Sequence, residues 1–571
     1  MIPGIRSTFS RPCNIAILAM ALAMIWINFS HHNWNRDRVI EWDIKSYYAY
    51  LPAVFIYQDL SLEFLDEDPE KFGDLIWPVT TPTGKRAIIT TMGMSVLYSP
   101  FFCLAHAYAS LTGWEADGYS IPYRFALNFS TLFYLLAGLY FLKKVLLRFF
   151  SPGITTFTLV AVVMGTNLLY YATHEAAMPH GYNFALIAMF LFLTIRFYER
   201  PGSAGQLMLL GFLAGFITLI RPTNIIILIL FFLWGVDSLT ALRNRIRFFL
   251  QKPGLVGIMA LFFVLAWAPQ FIYWKQVSGM FFYFTYGEEG GGFFWHNPQI
   301  ANILISYKKG WFVYTPLMLF AFAGIFLLPW RLKGLPDTLR GAFLPILLFK
   351  LLNIYILSSW WAWWFGGGFG LRAFIDSYAV MALPLAAVFA LAAKLPVNWR
   401  NAAFGVFVLL ILFNNFQIHQ YRRGAIHYWW MNKEAYWETF LKRKPTQRYW
   451  DLITIPDYEK ARQGVYVAID PQESRADEAT GTESHTSGAM DKEETDTISR
   501  EKREEADTLP VVSRDEYGPE EREQRIREIE QRLRDDPEMA EFIREKAREA
   551  NVPEDTMFRR DALWYYERGE Y

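Results

Sequence analysis

Residues 206–238 read QLMLLGFLAGFITLIRPTNIIILILFFLWGVDS, two apolar runs that are separated by Arg221 and Pro222. Each run can form a short membrane-spanning helix, and a proline beside an arginine fits a break at one face of a membrane. We therefore predict two consecutive spans, 206–220 and 223–238, joined by a very short loop. This segment indicates an integral membrane protein built from helices.

The composition of the whole chain agrees with this interpretation. Of its 571 residues, 53% are hydrophobic and 18% are aromatic, which is more apolar surface than an ordinary soluble domain buries. Charged residues make up 19% of the chain and their net charge is zero. No strongly basic domain is present, so the sequence gives no reason to expect a nucleic-acid partner. The two cysteines, Cys13 and Cys103, suggest neither a disulfide framework nor a metal site.

Further runs of similar length occur along most of the chain. A bilayer core about 30 Å thick is crossed by about 20 helical residues. Eleven stretches fit, namely 13–30, 122–142, 153–171, 181–196, 206–220, 223–238, 255–273, 311–329, 341–359, 374–393 and 401–418. The sequence therefore predicts an all-α, polytopic membrane helix bundle of about eleven spans over residues 1–420, surrounded by the lipid bilayer.

Lysine and arginine concentrate in alternate loops of this arrangement, and cytoplasmic loops are enriched in these residues. If the N-terminus is cytoplasmic, the inside segments carry Arg6, Arg11, Lys143, Lys144, Arg148, Arg196, Arg200, Arg243, Arg245, Arg247, Lys252, Arg331, Lys333, Arg340, Lys394 and Arg400. The outside loops carry Arg221, Lys275, Lys308, Lys309 and Arg372. This bias predicts a multi-pass protein of the cytoplasmic (inner) membrane with a cytoplasmic N-terminus.

One apolar run, residues 93–111, does not fit this order of spans. A span there would place the basic residues of segment 143–148 outside. We interpret the run as a helix that lies in the outer interface and is interrupted by Pro100. Residues 31–121 then form one large first outer loop. The alternative is an ordinary span with the reversed topology.

Composition divides the chain beyond residue 420 into three segments. Residues 421–471 are aromatic and are expected to lie against the membrane domain or its interface. Residues 472–518 are rich in Glu, Asp, Ser and Thr, which predicts a disordered linker. Residues 519–571 carry apolar side chains at helical spacing from Ile526 to Leu533 and predict a small helical appendage. Its expected role is to dock to a protein partner or to the membrane domain.

Ionisable groups at a membrane edge are energetically costly, so they indicate function. Glu41 and Asp43 follow the first span in an aromatic setting. A carboxylate there can act as a general base or a metal ligand. The alternative is that Asp43 caps the helix that begins at this point.

A second polar cluster lies between the third and fourth spans and contains His174, Glu175 and His180. Two histidines and a carboxylate are able to bind a divalent cation, but their spacing matches no standard metal motif. We expect these residues to bind a polar substrate by hydrogen bonds. No metal ligand is assigned, and the cofactor stays unknown.

Four cations fall on the outer side of the predicted topology: Arg221, Lys308, Lys309 and Arg372. Arginine binds phosphate oxygens through two donors and lysine supplies a point charge, so these residues suit a ligand that carries phosphate. The alternative is contact with lipid headgroups at helix ends. Lys350 differs because it falls in the middle of a predicted span, where a charge must face the bundle interior.

Residues 363–372 read WWFGGGFGLR and end on Arg372. With an acidic residue soon after the first span and an Arg-Pro pair between two short spans, this pattern resembles the GT-C superfamily of membrane glycosyltransferases. The resemblance covers roughly residues 10–420. It is closest to the branch that contains protein O-mannosyltransferases and aminoarabinose transferases.

The resemblance implies an inverting transfer of a sugar from a polyprenyl-phosphate-linked donor to an acceptor hydroxyl, on the outer side of the membrane. It implies that Asp43 is the catalytic base, with Glu41 as the second choice. The four outer cations would stabilise the departing polyprenyl phosphate. Many family members carry a His-Pro-Pro element or an acidic pair here, and this sequence shows no such element. The acceptor is therefore not defined.

Two other functions remain open on the sequence. A transporter or flippase for a lipid-linked glycan would also use outer cations, and it would give Lys350 a role. The sequence lacks the repeated halves with paired broken helices that many transporters have. The third option is a non-catalytic membrane scaffold that acts through its C-terminal tail.

Overall fold

The computed structural model describes residues 11–35, 39–67, 72, 75–199, 204–286, 291–469, 519–535, 539–540, 543–544, 554–555, 557–559 and 561–562. The chain divides into two compact units, Met1–Ala476 and Asp477–Tyr571. The predicted linker, residues 472–518, and the cations Arg6 and Arg200 lie outside the described residues.

The regular secondary structure of the described residues is almost entirely helical. Its α-helices are Arg11–His31, Asp43–Tyr48, Tyr50–Phe55, Gly93–Thr112, Ile121–Leu146, Pro152–Met164, Leu168–Thr173, Pro179–Glu199, Ala204–Ile220, Leu228–Leu233, Leu239–Gln251, Pro253–Ser278, Ile300–Ile305, Trp311–Tyr314, Leu317–Ile325, Phe343–Ser358, Tyr378–Ala392, Val397–Arg422, Lys433–Thr439, Gln447–Leu452, Tyr458–Arg462 and Pro519–Asp535. The 3₁₀-helices are Asn33–Asn35, Glu63–Asp66, Pro222–Ile227, Asp337–Ala342 and Arg372–Ser377. Two short antiparallel hairpins pair Pro78–Thr80 with Arg86–Ile88 and Ile455–Pro456 with Ala468–Ile469.

Within the described residues, seven helices are long and apolar enough to cross a membrane. They are Arg11–His31, Ile121–Leu146, Pro179–Glu199, Pro253–Ser278, Asp337–Ser358, Arg372–Ala392 and Val397–Arg422. The prediction of an all-α, polytopic membrane protein is confirmed. Each of these helices coincides with one of the eleven predicted spans.

The other four predicted spans are helical but shorter. The run 311–329 is divided at Thr315 and Pro316, because proline lacks the N–H that would continue the first helix. The run 153–171 is divided at Gly165, which ends the helix that begins at Pro152. The break at Arg221 falls where the sequence predicts it, since Arg221 is extended between Ile220 and a 3₁₀-helix.

The helix Gly93–Thr112 is continuous, so the predicted interruption at Pro100 is wrong. A proline inside a helix leaves the carbonyl four residues earlier without its N–H partner. Here that carbonyl belongs to Val96, and the Ser99 hydroxyl donates to it at 2.9 Å. The side chain of Ser99 thus replaces the lost backbone donor and lets the helix continue.

Small residues bring the long helices into close contact. A Cβ on Gly138 would lie 2.6 Å from the Ala185 Cα, so Ile121–Leu146 packs directly against Pro179–Glu199. A Cβ on Gly211 would overlap the Met259 carbonyl in the same way. Such small-residue contacts are typical of helices that associate in membranes.

The predicted first outer loop, residues 31–121, packs on the end of a long helix. In its hairpin, Thr81 and Thr83 both donate hydroxyl hydrogen bonds to the Val277 carbonyl, at 2.7 and 2.6 Å. Tyr50 and Gln270 contact each other near the same end. This part of the loop therefore lies at the Ser278 end of Pro253–Ser278.

The second unit contains a helix, Pro519–Asp535, with one apolar face. Ile526, Ile529 and Leu533 on that face are buried. They form a small core with Ala540, Ile543, Met557, Phe558 and Ala562. The core gives this unit an apolar interior of its own.

Candidate active site

Asp43 and Arg372 form an ion pair across the molecule. The Arg372 Nη2 lies 2.6 Å from the Asp43 Oδ2, although the residues are 329 positions apart in the sequence. The Asp43 side chain is 47% exposed and the Arg372 side chain is 16% exposed. The carboxylate therefore has a charged partner and still faces the surface.

Asp43 opens the helix Asp43–Tyr48, but the residue at the cap position is Trp42, which makes no side-chain cap hydrogen bond. The alternative role of Asp43 as a helix cap therefore has no support. Trp42 itself has a φ of 51°, which is rare for a bulky residue. Its ring packs edge-on against Trp77 at 5.9 Å. Glu41, the second candidate base, lies just before this turn and is half-buried.

The loop before Arg372 has an unusual backbone. Four of its residues have positive φ: Phe365 (57°), Gly366 (69°), Gly368 (129°) and Gly370 (60°). At Gly368 a Cβ would overlap the Tyr171 hydroxyl. Glycine is required there for both reasons, because only a residue without a side chain tolerates this φ and this contact.

Lys309 links the glycine loop before Arg372 to Tyr428, in the segment that follows the last long helix. Its Nζ donates to the Gly368 carbonyl and, at 2.6 Å, to the Tyr428 carbonyl. The Gly368 N–H also donates to the Tyr428 carbonyl at 3.2 Å. The Lys309 side chain is 2% exposed. The loop, Lys309 and Tyr428 therefore form one connected unit behind Arg372.

Lys309 and Glu175 are charged groups, and each affects the pKa of the other. Burial lowers the pKa of Lys309 to about 7, which Glu175 opposes and Arg372 reinforces. Burial raises the pKa of the Glu175 carboxyl, which Arg372, a 2.9 Å hydrogen bond from Tyr170 and Lys309 oppose. Asp43 also acts on Glu175. Two predicted carboxylates and two predicted cations thus share one electrostatic neighbourhood.

Two tyrosines connect this neighbourhood to Arg221. Burial raises the pKa of Tyr286 to about 12 and raises the pKa of Tyr47 further. Asp43 adds to both increases, whereas Arg221 and Arg372 reduce them. Arg221 therefore lies within electrostatic reach of the same two phenols as Asp43 and Arg372.

A buried carboxylate that the sequence did not single out holds Arg221. The Asp376 side chain is 1% exposed, and its Oδ2 accepts from Arg221 Nη1 at 3.2 Å. Its Oδ1 lies 3.1 Å from the His180 Nδ1. His180 thus contacts a buried carboxylate through Nδ1, whereas the sequence predicts hydrogen bonds to a polar substrate. The available signal was an acidic residue at the start of the apolar run 374–393.

The last two predicted residues contact aromatic rings. The Lys308 Nζ lies 3.7 Å from the centroid of the Trp364 ring. His174 packs edge-on against His31 at 5.3 Å. Their sequence neighbours, Lys309 and Glu175, belong to the charged cluster described above. Among the residues that the structure describes, no group of three or more His, Cys, Asp or Glu side chains is arranged to hold a metal ion.

No family model and no curated protein matches this chain. Solved structures give a weak likeness. An archaeal oligosaccharyltransferase, AglB from Archaeoglobus fulgidus in complex with an inhibitory peptide and a dolichol-phosphate, is similar to it with a TM-score of 0.40 and 14% identity. The match covers 70% of this chain and 54% of that chain, so this chain spans about half of the other's length.

Proposed function

We propose that this protein transfers a sugar from a polyprenyl-phosphate-linked donor to an acceptor hydroxyl, with inversion, on the outer side of the cytoplasmic membrane. One observation carries the proposal, the 2.6 Å contact between Asp43 and Arg372. It joins a carboxylate able to accept a proton to a cation able to bind phosphate. An inverting transfer uses both groups, the base at the attacking hydroxyl and the cation at the leaving phosphate.

In the proposed reaction the acceptor oxygen attacks the anomeric carbon from the side opposite the phosphate. Asp43 takes the hydroxyl proton as the new bond forms. The bond between the anomeric carbon and the phosphate oxygen breaks, and its electron pair leaves with polyprenyl phosphate. The leaving phosphate gains one negative charge, which Arg372, Arg221 and Lys309 stabilise. A single displacement of this kind inverts the anomeric configuration.

Because Asp43 and Arg372 form an ion pair, binding of the donor to Arg372 also affects Asp43, the proposed base. A guanidinium group has five N–H donors, and the donor phosphate competes with Asp43 for those of Arg372. When the phosphate binds, the Asp43 carboxylate loses part of its hold on Arg372. Because Asp43 is 47% exposed, it can then accept the proton of an incoming hydroxyl. The donor would bind before the base becomes available.

The environment of Lys350 does not favour the transporter alternative. Its side chain is fully buried, and its Nζ bonds to Asn353 Oδ1 and Ser377 Oγ, both at 3.1 Å. The same atom lies 3.5 Å from the centroid of the Phe374 ring. A lysine enclosed in this way suits a structural role better than contact with a moving substrate.

The proposal is tested with the purified chain and a polyprenyl-phosphate-linked sugar that is labelled in the sugar. In detergent with a lipid and glycan extract as the source of acceptors, we expect the label to leave the lipid and free polyprenyl phosphate to form. In liposomes we expect no movement of intact donor between leaflets. Movement of intact donor without loss of its sugar would contradict the enzyme proposal and favour the transporter.

A further inference from the structure

Asp376 takes no part in the proposed chemistry, yet it is the most fully bonded carboxylate near the site. Its Oδ2 accepts from Asn224 Nδ2 at 2.8 Å, from Asn183 Nδ2 at 3.2 Å and from Arg221 Nη1 at 3.2 Å. Its Oδ1 contacts His180 Nδ1 at 3.1 Å. A buried charge needs such partners, because an unpaired one would be strongly destabilising.

The position of Asp376 in the chain connects the two arginines of the site. Asp376 belongs to the 3₁₀-helix Arg372–Ser377, which begins with Arg372. One short turn therefore carries Arg372 and, through Asp376, holds Arg221 from a distant part of the chain. The distance between the two guanidinium groups depends on this turn.

The same turn is fixed on its other side. The Phe374 ring lies 3.5 Å from the Lys350 Nζ and packs against the Trp311 ring at 4.8 Å. Ser377 accepts the Lys350 hydrogen bond at 3.1 Å. A turn held on two sides has little freedom to move. It can therefore keep Arg372, which it carries, at a set distance from Arg221, which its Asp376 holds.

Arg221 keeps capacity for a ligand while Asp376 holds it. Its side chain is 14% exposed. Its described polar contacts, with the Asp376 Oδ2 and the His180 Nδ1, both use Nη1, whereas a guanidinium group carries donors on three nitrogens. Asp376 thus holds Arg221 through Nη1, and the other guanidinium nitrogens of Arg221 can donate to a phosphate.

We propose that Asp376 is a positioning residue, which fixes Arg221 relative to Arg372 so that both guanidinium groups bind one donor phosphate. The inference rests on the proposed function. It predicts that Asp376 acts on the substrate only through Arg221. A role in general stability would not depend on Arg221 in this way.

A double-mutant cycle tests this role. Donor KM and kcat are measured for the unaltered chain, Asp376→Asn, Arg221→Ala and the double variant. We expect each single substitution to raise the donor KM roughly tenfold, and the double variant to show about the same tenfold rise. Effects that multiply to about a hundredfold, or an Asp376→Asn variant with unchanged KM, would overturn the inference.

A second variant covers the case in which Asp376→Asn does not fold. Asn224→Ala removes the 2.8 Å donor to Asp376 without leaving a charge unpaired. We expect it to raise the donor KM in the unaltered background and to add nothing to Arg221→Ala. An additive effect of Asn224→Ala would overturn the inference.

Binding of polyprenyl phosphate to the unaltered chain separates the inference from the function on which it rests. If the unaltered chain binds this lipid and the cycle is additive, only the role of Asp376 fails. If the unaltered chain binds no polyprenyl phosphate, the proposed function fails and the role of Asp376 fails with it.

Discussion

In the proposed mechanism Arg372 contacts both the base, Asp43, and the phosphate of the donor. Replacing it with alanine removes a charged contact to phosphate in the bound donor and in the transition state. We expect Arg372→Ala to weaken donor binding and to lower the transfer rate together, each by tenfold or more. Donor binding is measured with labelled donor and transfer by release of the sugar.

A matched control for this substitution is Arg331→Ala. Arg331 is 76% exposed and approaches Asp337 only at 4.0 Å, so losing it removes a similar charge without touching the site. We expect parental binding and transfer from this variant. Equal losses in both variants would show that the Arg372 effect is not local.

Lys309 gives the site a dependence on pH. Its pKa is lowered by burial to about 7, so the side chain passes from mostly charged to mostly neutral between about pH 6 and 8. A polyprenyl-phosphate-linked sugar is a phosphodiester and keeps its charge over this range. Donor binding should therefore weaken as pH rises through about 7, because one cation near the phosphate is lost.

The comparison that assigns this pH dependence is Lys309→Met, which has a side chain of similar length and no charge. Its donor binding should be weaker at pH 6 and flat up to pH 8. Stability should respond in the opposite sense, since the unfolded chain binds a proton at Lys309 up to about pH 10.4 and the folded chain does not. The unaltered chain should thus become more stable from about pH 7 upward, and an identical profile for Lys309→Met would refute the assignment.

At this scale the sequence predicted Asp43 and Arg372 as site residues but did not single out Asp376. The first two are charges beside apolar runs, where a charge is costly and visible. Asp376 lies inside a run that reads as a span, and its partners Arg221, His180 and Asn183 come from another helix and from a break between two further helices. Only the packing of those helices shows that its charge is paired.

The glycine loop is the element that positions Arg372. Gly368 has a φ of 129°, and a Cβ there would overlap the Tyr171 hydroxyl. We expect Gly368→Ala to lower both the thermal stability and the transfer rate, because alanine brings backbone strain and a clash into the loop. Thermal unfolding in detergent and the transfer assay measure the two effects.

Gly405→Ala is the matched control for this loop. Gly405 lies within the helix Val397–Arg422, and a Cβ there would meet no atom within 4 Å. Alanine is preferred over glycine inside a helix by roughly 0.5–1 kcal/mol, so this variant should be slightly more stable with parental transfer. A Gly368→Ala variant as stable and active as this control would contradict the role of the loop.

The helices were predictable from the sequence because lipid demands long apolar runs, and their interruptions were predictable only in part. Arg221 with Pro222 ends a helix as expected. Pro100 does not, because Ser99 supplies the missing donor to Val96. The conformation of Trp42 and Phe365 also left no trace in the sequence, since neither is a residue type that favours positive φ.

One long helix predicts which segments of the described chain lie on opposite sides of the membrane. Pro253–Ser278 has 26 residues and is about 39 Å long, enough to cross a membrane. Thr81 and Thr83 bond to Val277 at one end, and the basic helix Leu239–Gln251 precedes the other end. Residues 82 and 247 should therefore lie on opposite sides of the membrane.

Cysteine labelling tests this arrangement in intact cells. Cys103 is exposed and is first replaced by serine, whereas Cys13 is buried. In that background an impermeant maleimide should label Pro82→Cys and should not label Arg247→Cys until the membrane is permeabilised. The reverse pattern would place the candidate site on the cytoplasmic side and would contradict the predicted orientation.

For the molecule as a whole, the sequence indicated which residues belong near one membrane face but not how they meet. Asp43, Glu175 and Lys309 come from three separate loops, and each lies within electrostatic reach of Arg372. Hydropathy places each loop at a membrane edge. It does not fix which loops are neighbours, because that depends on helix contacts such as Gly138 against Ala185.

The central claim is that Asp43 removes the proton of the acceptor while Arg372 holds the donor phosphate. Asp43→Asn keeps the shape of the side chain and removes the proton acceptor. Because it also removes the competitor for Arg372, donor binding should be kept or become tighter. Asp66→Asn is the matched control, since it breaks an exposed 2.7 Å pair with Arg86 in the same loop.

The decisive measurement is sugar transfer from a saturating polyprenyl-phosphate-linked donor by folded Asp43→Asn, with donor binding measured on the same preparation. We predict that transfer falls by ~10²-fold or more while donor binding is undiminished and Asp66→Asn is unchanged. Transfer by Asp43→Asn at the parental rate would contradict the account. Glu41→Gln would then be tested as the second candidate base, and full activity in that variant too would exclude the proposed mechanism.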